Sequence, residues 1–396
     1  MRTNKIDFFF DIVFSVLLFS LSFSIAIPNI LLGILIILFF LKNKRVLFTP
    51  VYIKLLSLFC LFLILKAIFF NSLLENIIIY KFLLVLLIVS VLIFNIKNVR
   101  TVIKGYVFGV FLGVIISSIK ISLYYFRFKT LPFGNTSEVQ NLILIHRPYF
   151  GFMCLLAIVL IIFLLSKINS TKEKIVYILM TILILFFLNI IVARLSLLLS
   201  FLYLIISVLM FLALNKTQLV LSLFFLSLLF LTVFRLNKNL KNRLHLKNTY
   251  TETINVLRNQ EPRFVIWDCV INQINNKDFN GYFGYENRKT IQNNLNDCYN
   301  SSISNVSKKE YYSITKFNSH NQFFDIFLDG GVVGTFLFLI LFIFSMYSFR
   351  NNFDAIFILF SFLLFLVFEN IFQRQIGTYL FGIFIPLFHK IITSEE

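Results

Sequence analysis

The sequence predicts an all-α polytopic membrane protein of about twelve transmembrane helices, with one large, mostly helical loop between helices 9 and 10. Three observations carry that prediction: recurring apolar runs, cations confined to alternate short connections, and a single long polar stretch late in the chain. Apolar residues make up 59% of the 396 residues, charged residues 14%, and the mean hydropathy is +0.89. A water-soluble chain of this length cannot hide so much apolar surface. Phe occurs 53 times against one Trp and six Pro, which suits helices packed among lipid tails. The runs reach the roughly 20 residues needed to cross about 30 Å of hydrocarbon.

Taken in order, the apolar runs place helices near 8–27, 30–41, 51–70, 77–94, 105–125, 149–166, 175–192, 195–214, 218–234, 322–348, 355–368 and 377–388. The second and the last are short for a full crossing. The first run lacks a small-x-small cleavage site and reads as a retained helix. Pro28-Asn29 marks the first turn, because Pro lacks the donor a continuing helix needs. One set of short connections carries Lys42, Lys44 and Arg45, then Lys97, Arg100 and Lys104, then Lys167, Lys172 and Lys174. The alternate turns at Pro28-Asn29 and Asn71–Asn76 carry none, so the positive-inside rule puts the N-terminus inside, and twelve crossings return the C-terminus there. The polar stretch 235–321 then falls outside. Three parts follow: 1–234 with helices 1–9, the loop 235–321, and 322–396 with helices 10–12.

The net charge of +18 would suggest a nucleic-acid partner in a soluble protein. Here the cations flank apolar segments or sit in the long loop, so membrane topology and anionic head groups explain them instead. No zinc-type Cys/His spacing, phosphate-binding Gly loop or dinucleotide fingerprint is present. Lys66, Lys81 and Lys120 lie within one or two turns of the outer surface, roughly 5–8 Å below it. Arg127, Arg147, Arg194 and Arg235 continue that belt, and Asp325 and Asp329 lie at similar depth. Lys54 and Asp11 sit near the inner face. Snorkelling explains any one such Lys. Their convergence on one leaflet predicts a cationic bowl suited to a phosphate or diphosphate lipid head group. An ion-coupled transporter or lipid flippase would instead need polar groups near the midplane, where this sequence is nearly free of charge.

The most specific stretch is Ser319-His320-Asn321-Gln322-Phe323-Phe324, followed by Asp329-Gly330-Gly331-Val332-Val333-Gly334. A His-Asn pair ends the polar loop and opens an apolar helix carrying a Gly-rich turn. This resembles the O-antigen ligase/polymerase family of bacterial envelope glycosyltransferases. Ala193-Arg194-Leu195-Ser196 is similar to that family's Ser-Arg motif, with Ala in place of Ser. Arg263-Phe264-Val265-Ile266-Trp267 and Gly281-Tyr282-Phe283-Gly284 resemble its Arg, Trp and Gly-x-Gly progression through the loop.

The resemblance implies transfer of a glycan from an undecaprenyl-diphosphate carrier at the periplasmic face of the inner membrane, inverting and without metal or other cofactor. The acceptor would be lipid A-core in a ligase, or a carrier-linked glycan in a polymerase. Partners would then be these two lipids and the surrounding membrane, with no nucleic acid. His320 is the expected general base, since an imidazole suits proton uptake near neutral pH. Arg194 and Arg263 are the expected diphosphate contacts, with Arg147 and Lys81 behind them. Plainer readings stand beside these: His320 as an interfacial residue, Arg194 and Lys81 as snorkelling anchors, and Arg263 paired with Glu261 or Asp268. Gly330 and Gly334 read as allowing close helix packing, and Trp267 as a loop-core or interface residue. Cys60 and Cys154 fall within helices. Cys269 and Cys298 both fall in the outer loop, where a disulfide would hold Gly281–Gly284 in place; spacing alone leaves that open.

Overall fold

The computed structural model describes residues 2–42, 49–75, 77–129, 141–211 and 261–395. Within them run α1 (Arg2–Ser20), α2 (Ala26–Leu41), α3 (Val51–Phe69), α4 (Ile77–Ile93), α5 (Val99–Phe128), α6 (Arg147–Leu165), α7 (Thr171–Ile190) and α8 (Arg194–Phe211). Then follow α9 (Pro262–Ile274), α10 (Arg288–Ser302), α11 (Val306–Thr315), α12 (Gln322–Phe349), α13 (Phe353–Phe368), a 3-10 turn at Ile371–Gln373, and α14 (Gln375–Glu395). Each predicted helix coincides with one of these except 218–234, which lies outside the described residues, as does 235–260 of the loop. By length and composition α3, α5, α6, α7, α12 and α14 can each cross a membrane, while α2, α4, α8 and α13 are shorter apolar helices.

Helix α1 begins earlier than expected, at Arg2, and α14 runs on to Glu395, long enough to cross a membrane; two further boundaries differ for physical reasons. The chain breaks after Ser20 and not at Pro28, which sits in the first turn of α2. Pro is tolerated there because a first-turn N–H has no intrahelical acceptor anyway. Helix α5 starts at Val99, capped by Asn98, whose side chain accepts from the Thr101 N–H at 3.0 Å. Arg100 and Lys104 are therefore helical and not part of a loop.

The helices group into two units by contact. One comprises Met1–Asn43 with Ile96–Leu246. Its centre is α6, buried along nearly its whole length, which packs on α5, α7 and α8. Gly105 and Gly109 let the α5 backbone lie directly against Ser15 and Phe19 of α1, with no room for a Cβ at either. At one end Asp11 accepts from the Lys97 and Asn98 N–H groups at 2.9 and 2.7 Å. Asp7 binds Lys42 at 2.9 Å and also Lys97.

The other unit comprises Lys44–Asn95 with Lys247–Glu396. Its α3 and α12 run antiparallel: Phe59 meets Phe338, Phe62 covers Gly330 and Gly334, and Lys66 reaches Asp329. The two glycines thus serve close packing, as their spacing predicts. Helix α4 is fixed to α14 by Ser90 donating to the Gly382 carbonyl at 3.0 Å and Lys390 to that of Phe94 at 2.8 Å. In the loop, α9, α10 and α11 close a small core of Ile266, Val270, Leu295, Tyr299 and Tyr312. The Cys269–Cys298 disulfide ties α9 to α10 with Cα atoms 5.7 Å apart, resolving the pairing that spacing left open.

Candidate functional site

Two glycine motifs, separate in the sequence, form one joint. Helix α12 is broken at Gly331, whose φ of 59° and ψ of −156° are not helical. Such a break strands amide donors, and here they find new acceptors. Val332 donates to the Gly281 carbonyl at 2.9 Å and Val333 to that of Tyr282 at 3.2 Å, while Tyr285 donates to Leu328 at 2.8 Å. A Cβ at Gly331 would strike the Tyr282 backbone, and one at Gly284 the backbone of Leu328 and Asp329. Both glycines also hold positive φ, so both the space and the backbone demand them.

Beside this joint lies a buried charge cluster. Asp329 receives Lys66 at 3.2 Å and Arg288 at 3.0 Å; Asp325 receives Arg288 at 2.9 Å and the Gln373 amide at 2.7 Å. Lys66 also donates to the carbonyls of Tyr285, at 2.6 Å, and Asp329. Two cations thus face two carboxylates. Burial works against the Arg288 charge, but the two aspartates override it and hold its pKa above the ordinary arginine value. The cationic bowl expected from sequence therefore loses Lys66, whose charge is matched at short range.

His320 lies at the end of α12 nearest the loop. Its backbone is held at φ 44°, a region costly for a side-chain-bearing residue. Polar contacts keep it there: its N–H donates to Asn318 Oδ1 at 3.1 Å, and Ser319 bonds Asn370 and the Asn321 carbonyl. Trp267 Nε1 donates to the Ser319 carbonyl at 3.2 Å while its ring stacks on Phe368. Trp267 is partly buried and packs against the loop core. The His320 ring packs near Phe317, and its Nδ1 lies 3.8 Å from the Glu369 carboxylate.

The same carboxylate receives Arg263 at 3.1 Å; that guanidinium also donates to the Phe368 carbonyl and lies 3.7 Å from Glu261. Burial pushes the Glu369 carboxyl above the usual glutamate value, against the pull of Arg263 and Arg374. His320 and Arg263 are therefore brought together through Glu369. Lys81 sits exposed in the second turn of α4 and takes no part in these contacts.

In the first unit, Arg147 opens α6 and Arg194 opens α8. The two helix starts meet where Gly151 faces Ala193 and Ser196. Val192, at φ 54°, makes the turn that restarts the chain at Arg194. Two guanidinium groups thus stand at one end of a helix pair, where the helix dipole favours anions.

Glu369, Arg288 and Gln373 were not singled out from sequence. A signal for two of them exists: Glu369-Asn370 and Gln373-Arg374-Gln375 form a polar cluster between two strongly apolar helices, where a simple turn would need fewer polar side chains. Among the described residues, no three His, Cys, Asp or Glu side chains cluster as metal ligands would.

The fold and this geometry define a helical membrane protein that gathers a histidine, an arginine and a shared buried carboxylate where a polar loop meets its helices. Residues 179–339 match the family model described as O-antigen ligase, and the expected resemblance to the O-antigen ligase/polymerase family is supported over that stretch. The match takes in Arg194, Arg263, Gly281–Gly284, His320 and Gly331, while Glu369 lies beyond it. No curated protein matches the chain. The family supports glycan transfer of the ligase/polymerase type by a multi-pass membrane protein.

Proposed function

We propose that the protein transfers a glycan from undecaprenyl diphosphate to an acceptor hydroxyl on lipid A-core, at the periplasmic face of a bacterial inner membrane. The observation that carries this reading is the His320–Glu369–Arg263 constellation. Nδ1 faces the carboxylate at 3.8 Å, and Nε2 is the atom assigned to the acceptor proton. The acceptor oxygen attacks the anomeric carbon as its proton passes to Nε2. The bond from that carbon to the diphosphate oxygen breaks, and undecaprenyl diphosphate leaves with the bonding pair. Direct displacement inverts the anomeric centre. Glu369 stabilises the imidazolium that forms, as a carboxylate does behind any histidine base.

The departing diphosphate gains negative charge, which guanidinium groups meet with paired donors. Arg263 is assigned to it on the face it does not spend on Glu369; Arg194 and Arg147 keep the diphosphate role expected of them from the sequence. Lys81 contributes long-range attraction only. Twelve crossings with both termini cytoplasmic put the loop on the donor's side of the membrane.

Purified protein in lipid, offered carrier-linked glycan with either lipid A-core or carrier-linked repeat, tests the reading. Product on lipid A-core that vanishes in His320→Ala is expected. Longer carrier-linked chains would make the protein a polymerase using the same groups. Equal product from wild type and His320→Ala would remove the base.

A further inference from the structure

Much of the Asn280–Tyr285 backbone finds its partners within the protein, as backbone in hydrocarbon does. Tyr282 and Phe283 donate to Asn280 Oδ1 at 2.9 and 3.1 Å. Gly284 donates to the Asn280 carbonyl at 2.7 Å and Tyr285 to Leu328 at 2.8 Å. The carbonyls of Gly281 and Tyr282 accept from Val332 and Val333. A solvent-facing turn needs no such closure, because water supplies partners.

Its depth points the same way. Val332 and Val333 are level with Phe62 and Leu63 of α3, since those side chains meet Gly330 and Gly334. From Phe62 to the α3 end at Phe69 is roughly 10 Å at 1.5 Å per residue. The stretch of α12 beyond the break, from Val332 to Phe349, covers about 27 Å, close to a hydrocarbon thickness of about 30 Å. The turn therefore lies between the hydrocarbon edge and roughly 10 Å beneath it. Its two apical side chains do not fold back onto protein: Tyr282 is 72% and Phe283 45% exposed, beside the outward-facing Val332 and Phe336.

We propose that Asn280–Tyr285 is a re-entrant hairpin whose Tyr282 and Phe283 rings rest among phospholipid acyl chains of the leaflet on the loop's side. Apolar rings with one hydroxyl suit that depth. The hairpin fixes the height of the loop over the bilayer, because the same backbone bonds hold it to α12.

Spin labels at Tyr282→Cys and Phe283→Cys, in full-length protein in phosphatidylcholine/phosphatidylglycerol vesicles, test this without reference to activity. Wild type, whose free Cys60 and Cys154 are buried, is the labelling blank. Both labels should collide with oxygen several-fold more than with a nickel chelate, matching Phe336→Cys and opposite to Tyr311→Cys on α11. A nickel response equal to that of Tyr311→Cys would overturn the proposal. Should labelling disturb the turn, Tyr282→Trp replaces it. Quenching of its added emission by shallow-brominated lipid, with little by iodide, supports the hairpin, and the reverse pattern rejects it.

Discussion

Two clusters in one unit use similar groups to opposite ends. Around α12, Lys66, Arg288, Asp325 and Asp329 form a closed set, with side chains 4–13% exposed and two charges of each sign. Around Glu369, the carboxylate is as buried, at 7%, but its partners are not: Arg263 is 29% and His320 25% exposed. The first cluster has nothing left to offer a ligand. The second holds one face of each partner inward and leaves another outward, as a site that must meet substrate requires. Buried charge alone therefore does not tell the two clusters apart; incomplete burial around a fixed carboxylate does.

The widest separation between the clusters should come from single truncations. His320→Ala is expected to lower turnover by about 10²–10⁴-fold, the range of general-base contributions. Its melting temperature should stay near wild type, because the ring is partly exposed. Asp329→Ala should do the reverse. It leaves Lys66 and Arg288 with one carboxylate between them, and breaking such a buried set costs about 3–5 kcal/mol. Loss of folded, monodisperse protein on heating measures this. The double change Lys66→Met with Asp329→Leu removes opposite charges together and should recover much of that loss. If Asp329→Ala instead folded normally but lost activity, the closed cluster would belong to the site.

A smaller effect is expected at the loop core. Cys269→Ser with Cys298→Ser opens the link between α9 and α10, at a typical cost of about 2–4 kcal/mol. Trp267, on α9, holds the Ser319 carbonyl, so loosening α9 should also loosen His320. Limited proteolysis within Pro262–Ser302, together with a moderate fall in turnover, is the expected pair of readouts. Protease resistance unchanged from wild type would confine the disulfide's role to the chain before folding.

Much of this was legible from residue types, and what was not has a common cause. Apolar run lengths foretold α3, α6, α7 and α12 because hydrocarbon thickness sets them directly. His320 stood out because an ionisable ring ends a polar segment just before an apolar helix. Lys66 did not reveal its partner: the two residues are 263 positions apart, and a solitary Lys near a helix end reads equally as an anchor or a ligand-binding cation. The joint of Gly281–Gly284 with Gly331 was hidden for the same reason, since backbone pairing leaves no mark in spacing. Pro28 misled because its lost donor stops a helix interior but not a first turn. Glu369 was missed although its polar surroundings were visible, because a carboxylate in a turn reads as solvated until its burial is known.

The finest test lies inside the second cluster. Glu369→Gln keeps an acceptor for Arg263 but removes the charge facing His320 Nδ1. At 3.8 Å that contact is long, so the expected loss in kcat is about tenfold, below the cost of removing the base itself. KM for the carrier-linked donor should hardly move, since Glu369 is assigned no contact with the donor; a merely structural role would disturb both constants. The pH profile discriminates further. Burial raises the Glu369 carboxyl, so it takes up its proton at a higher pH than an exposed glutamate would. As pH falls through that raised value, wild type loses the carboxylate behind His320 and should show an added step on the acid limb of kcat. Above it the carboxylate is present and the step is absent. In Glu369→Gln the added step should vanish. An acid limb identical in both proteins would mean that the carboxylate serves Arg263 alone, and the two clusters would then differ in exposure but not in chemistry.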